Sequence, residues 1–152
     1  MEITKSNLSL RHSEMSREKL LDIASKLLGW VNAHSSDPAE LKPIVADDLV
    51  VTLPVPGVTP DLAGFMEYQK MACKASSDFK LTLLKAVVDE VECTVVHFVE
   101  ITGTHEGYLS IELHTNYSEW GGVPATGKKF CVRGFAMMKV SFRSLRRILI
   151  VD

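Results

Sequence analysis

The sequence lacks most of the features that announce a particular chemistry. Its three cysteines, Cys73, Cys93 and Cys131, are odd in number and fall at no metal-ligand spacing. Neither a disulfide framework nor a zinc site is expected of them. No apolar run is long enough to span a bilayer, and the opening residues have no signal-peptide pattern. A soluble, cytoplasmic protein without a membrane partner is the expectation. Charge of one sign is also missing: the net charge is -2, which argues against nucleic acid as a partner, since phosphate binding needs a basic surface. Lys139, Arg143, Arg146 and Arg147 form only a local cluster, read as a solvated sheet edge. No glycine-rich loop leads into a helix, and no serine or cysteine sits in a nucleophile elbow. Two histidines, His97 and His105, lack a third ligand at a matching spacing, so no metal is expected. What remains for an enzyme is acid–base work without a cofactor.

What is present is enough for one domain with a sizeable core: 152 residues, 46% of them hydrophobic. Residues 1–15 show no periodicity and are expected to be a mobile arm, leaving 16–152 as a single domain. Ser16 is a good helix cap, with Glu18 in the first turn. Leu20, Ile23, Ala24, Leu27, Leu28 and Val31 then recur at helical spacing, which predicts a helix over 17–34. Asp37-Pro38 opens a short second helix that Pro43 kinks or breaks. A strand is expected over 48–53, and a third helix over 60–73 behind Thr59-Pro60-Asp61.

The second half changes period. Strands are expected over 79–88, 91–105, 108–117, 128–142 and 147–151. In the run from Val91 to His105 the odd positions, Val95, His97, Val99 and Ile101 among them, form the buried face. Helices first and strands second indicate an α+β fold.

The candidates for chemistry follow from this pattern. His105 ends its strand between Gly103 and Gly107, where the backbone can bend and a pocket can open. It is the first choice for proton transfer. His97, among valines, reads first as a core residue and second as a catalytic one. Asp61 and Asp152 are the candidate acids, with helix cap and chain end as their structural alternatives. Glu112, Glu119 and Arg133 take solvated positions by default.

Three stretches carry a resemblance. They are Ser36-Asp37-Pro38 with Ala46-Asp47-Asp48-Leu49, then Thr102-Gly103-Thr104-His105-Glu106-Gly107, then Pro124-Ala125-Thr126-Gly127-Lys128. Together they resemble the SnoaL-like polyketide cyclases of the nuclear transport factor 2-like superfamily, from about Glu18 to Asp152. The resemblance implies a cone: a curved antiparallel sheet around a pocket, closed by three N-terminal helices. It implies a cofactor-free isomerase or cyclase acting on a bulky apolar polyketide or terpenoid intermediate. Trp30, Phe65, Met66 and Tyr68 would line the pocket, with Tyr117 and Trp120 at its mouth. The sequence departs from the family pattern on the last strand, where Asp152 is the only acid, and at the turn Leu53-Pro54-Val55-Pro56-Gly57, which lacks the aspartate of ketosteroid isomerases. Two alternatives therefore stand beside the cyclase: a non-catalytic binding or dimerisation module, and an epoxide hydrolase or dehydratase. The resemblance, with Phe98, Phe135 and Met137 on outward parities, also leads to an expected homodimer through the outer sheet face.

Overall fold

The computed structural model describes residues 15–52, 61–107, 124–141 and 144–151. The chain forms α1 (Arg17–Asn32), α2 (Pro38–Leu41), β1 (Val45–Thr52), α3 (Leu62–Ala75), β2 (Lys80–Asp89), β3 (Thr94–Thr104), β4 (Lys129–Ser141) and β5 (Ser144–Val151). The strands make one curved, unclosed sheet in the order β1-β5-β4-β3-β2. The α+β expectation holds, with helices laid against one face. The strands from β2 to β5 are antiparallel neighbours. β1 is different, running parallel to β5 with Val51 opposite Ile148. The arm expected over 1–15 lies outside the described residues except for Met15, which is buried in the core. The strand expected over 108–117 and the turn at 53–57 also lie outside them.

Each helix starts where its cap lies. Ser16 Oγ accepts from Lys19 N at 3.3 Å, Asp37 Oδ1 from Ala39 N at 2.9 Å, and Asp61 Oδ1 from Gly64 N at 2.9 Å. These bonds satisfy first-turn donors that have no partner within the helix. α1 stops two residues before the expected His34. His34 takes a left-handed backbone, φ 53°, a conformation costing a non-glycine residue about 1 kcal/mol. Its ring offsets that cost by stacking on Phe79 at 4.4 Å and by meeting the Phe79 carbonyl through Nε2 at 2.7 Å. The carbonyl can only accept, so Nε2 carries the proton.

β3 also starts later than its alternation suggests. Asp89 Oδ1 accepts from Val91 N and Glu92 N, and Cys93 turns left-handed at φ 49°. This closes the β2–β3 hairpin and leaves Val91 70% exposed instead of on the buried face. From Val95 onward the expected parity holds: Val95, His97 and Val99 are buried.

The core lies between α1, α3 and the inner sheet face. Leu20, Ile23, Ala24, Leu27 and Trp30 form the buried stripe of α1. They pack in one cluster with Val95, Met138 and Ile148 of the sheet. Each large side chain so buried contributes roughly 1.5–3 kcal/mol. On the side of β2 away from β3, Asn32 brackets the backbone of Leu81: Nδ2 donates to Leu81 O at 2.9 Å and Oδ1 accepts from Leu81 N at 2.8 Å.

The outer face carries an apolar band. Phe98 and Met137 are 41% and 39% exposed, and Phe98 meets Phe135 at 6.1 Å between ring centres. The ion pairs Arg133–Glu100 and Lys139–Glu92 flank the band.

The end of β3 is fastened to the end of α3. Glu106 N and Gly107 N both donate to Ala75 O. Thr104 donates through N and Oγ1 to the two oxygens of Asp78, and Ser76 Oγ adds a third bond. The Thr104 hydroxyl, then its N–H, hold the Asp78 carboxyl below its usual range. A Cβ on Gly107 would collide with the Lys74 carbonyl oxygen, and one on Gly103 with Ser76 Oγ. These glycines therefore serve close approach of helix to strand, where sequence reading took them as bending points.

Candidate active site

Between the helices and the sheet lies a cavity of about 700 Å³, within the range of small-molecule sites. Its wall is mainly apolar, with Leu27, Phe65, Ala72, Phe79, Ile101 and Ile150 as examples. The residues come from one helical stripe each on α1 and α3 and from inward parities of the strands. Polar groups are few and spaced. They include Tyr68, Gln69, His97, His105, Thr126 and Lys128.

His97 stands deep on the wall. It is 2% exposed, its cross-strand neighbours are Ala86 and Ala136, and Nε2 has no hydrogen-bond partner among the described residues. Burial pushes its pKa below the ordinary 6.5, because a low-dielectric wall disfavours the imidazolium. A neutral imidazole results near neutral pH, with one nitrogen able to accept a proton and the other to donate one. An unpaired buried polar atom costs about 1–3 kcal/mol.

His105 stands at the other end of the same face. It is half-buried, and its backbone continues the ladder by donating to Lys128 O at 2.9 Å. Nδ1 lies 3.2 Å from Thr126 Oγ1, which also accepts from Lys128 N at 3.3 Å. The Thr126 hydroxyl, with one proton and two lone pairs, can pair with Nδ1 in either ring tautomer. Nε2 is buried and has no partner among the described residues. Eight residues of extended strand separate His97 from His105, up to about 26 Å at roughly 3.3 Å per residue.

Four of the expected site residues, His97, His105, Phe65 and Tyr68, come together on this wall. Trp30 and Met66 instead join the core cluster behind it, Trp30 with its ring 6.1 Å from Phe65. Their helical positions point inward, but beside the cavity. Asp61 is engaged as the cap of α3 and is absent from the described wall. Tyr117, Trp120 and Asp152 lie outside the described residues, as do Glu112 and Glu119.

Sequence reasoning passed over Gln69, Thr126 and Lys128. Gln69 is 3% exposed and its Nε2 donates to Val31 O at 3.0 Å, tying α3 to α1. Its spacing of four from Phe65 on the inward stripe was the available signal. Thr126 and Lys128 were visible only as letters in the Pro124–Lys128 motif.

Among the described residues no group of three His, Cys, Asp or Glu side chains could hold a metal ion. No helix among them is long and apolar enough to cross a membrane.

No family model and no curated protein sequence matches the chain. Solved structures do. A candidate SnoaL-like polyketide cyclase from Jannaschia aligns with a TM-score of 0.72 at 10% identity, over 91% of this chain and 89% of that one. The candidate polyketide cyclase IdmH from Streptomyces antibioticus aligns with a TM-score of 0.66 at 23% identity, over 87% and 90%. A SnoaL-like polyketide cyclase from Agrobacterium tumefaciens gives 0.65 at 16% identity, over 87% and 89%. At these identities the likeness establishes the fold: the chain has the SnoaL-like, nuclear transport factor 2-like fold.

Proposed function

We propose that the chain is a cofactor-independent isomerase or cyclase of the SnoaL-like kind, moving a proton on a bulky apolar polyketide or terpenoid intermediate. Fold alone does not assign an activity. The observation that carries this reading is the unpartnered Nε2 of buried His97 on the wall of a mainly apolar cavity. Neutral His97 takes a proton from a carbon next to a carbonyl, giving an imidazolium and an enolate. Returning that proton to a different carbon isomerises the substrate. Alternatively the enolate carbon attacks a second carbonyl of the folded chain, a C–C bond closes, and the new alkoxide takes the proton back from His97. The low-polarity wall destabilises the imidazolium and so favours its prompt return to neutrality. The shape of the cavity supplies the remaining contribution by holding one reactive conformer.

The test needs no knowledge of the natural substrate. Exchange of the α-protons of tetralone in heavy water, followed by proton magnetic resonance, reports carbon–acid chemistry directly. The protein should accelerate exchange, and His97→Gln should reduce the acceleration by about a hundredfold with unchanged circular dichroism. An unaltered exchange rate in folded His97→Gln would remove His97 from this role. No acceleration by the parent protein would leave the binding-module reading in its place.

The apolar band on the outer face favours a further element of the reading, a homodimer through that face. Phe98, Phe135 and Met137 form a patch flanked by ion pairs, the composition of an interface core within a polar rim. Sedimentation velocity should show a dimer at micromolar concentration; a monomer at high micromolar concentration contradicts it.

A further inference from the structure

The two ends of the cavity differ in charge. Lys128 and Lys129 lie on the described wall, and no Asp or Glu does. Lys128 falls opposite His105 where the β3–β4 ladder runs on past its last strand pair. Residues directly opposite in an antiparallel pair share a face, so Lys128 stands beside His105 on the inner side. The Lys128 side chain has no ion-pair or hydrogen-bond partner among the described residues. Beside it, His105 Nε2 is buried with no hydrogen-bond partner among the described residues, and the Thr126 hydroxyl lies 3.2 Å from Nδ1. A lysine cation and a histidine ring thus stand side by side on a mainly apolar wall that holds no Asp or Glu among the described residues.

We infer that the ligand of this cavity carries a carboxylate at one end, seated between Lys128 and His105, with its apolar body running toward His97. A carboxylate oxygen can accept from the lysine ammonium, and the cationic lysine matches the charge. The inference rests on the reading of the cavity as a substrate site and names the class of substrate it takes: an acid with an extended apolar skeleton.

Three probes with one apolar tail separate charge from shape: decanoate, decanol and decylammonium, titrated calorimetrically at neutral pH and low salt. Decanoate should bind about fivefold more tightly than decanol, the discrimination expected of one partly exposed ion pair, and decylammonium most weakly. Lys128→Met should bring decanoate to the affinity of decanol and leave decanol unchanged. Lys128→Arg should keep the preference. Equal binding of decanoate and decanol, or a preference that survives Lys128→Met, overturns the carboxylate assignment while the cavity stands as a site. Binding of none of the three overturns it together with the substrate-site reading.

Discussion

His97 and His105 share a strand, a face and a cavity, yet their surroundings differ in almost every respect. The deep end surrounds His97 with small apolar neighbours, no partner for Nε2 among the described residues and a pKa held down by burial. The open end surrounds His105 with a hydroxyl, a lysine and a backbone fastened to α3. One residue type thus stands in two different settings. A histidine without other partners in an apolar wall suits proton transfer to carbon, and one oriented by a hydroxyl beside a cation suits gripping a polar group. Parity along a strand decides that both rings face inward, and their neighbours across the sheet decide what each can do.

The contrast can be broken by substitution. Beside the roughly hundredfold loss expected of His97→Gln, His105→Ala should reduce kcat/KM by no more than about tenfold, with most of the change in KM, as for a residue that binds rather than reacts. A loss of hundredfold in kcat from His105→Ala, with His97→Gln near normal, would reverse the two assignments.

A smaller effect sharpens the same comparison through pH. The folded pKa of His97 lies below its ordinary 6.5, so between those two values the unfolded chain binds more protons than the folded one. Its contribution to stability is fully present above 6.5 and is lost as pH falls toward the folded value. Thermal melts from neutral to mildly acidic pH should show this decline, and His97→Phe should flatten it. A decline of the same size in His97→Phe would place its source in another group.

Much of the architecture was legible in the residues. The change from helical period in Leu20–Val31 to period two in β3 gave the α+β class, and odd parity put His97 and His105 on one inner face. Three features escaped for physical reasons. The left-handed turn at His34 depends on Phe79, forty-five residues away, to stabilise it. The parallel seat of β1 beside β5 joins segments about a hundred residues apart, which no local period records. The contrast between the surroundings of the two histidines escaped as well, because hydrogen-bond partners are a property of tertiary neighbours. Alternation showed where each ring points; it could not show that Thr126 would sit beside Nδ1 of one ring while the other stands between two alanines.

The amide of Asn32 has a consequence beyond holding α1 to the sheet. By occupying both the N–H and the carbonyl of Leu81, it imitates one residue of a neighbouring strand on the side of β2 that no other described strand pairs. An incoming chain seeking to lengthen the sheet would have to break two hydrogen bonds there before making its own. Lys80 and Lys85 place charge on the same strand, which disfavours an uncharged newcomer further along. A single side chain of α1 thereby helps keep a five-stranded sheet from recruiting a sixth strand from another molecule.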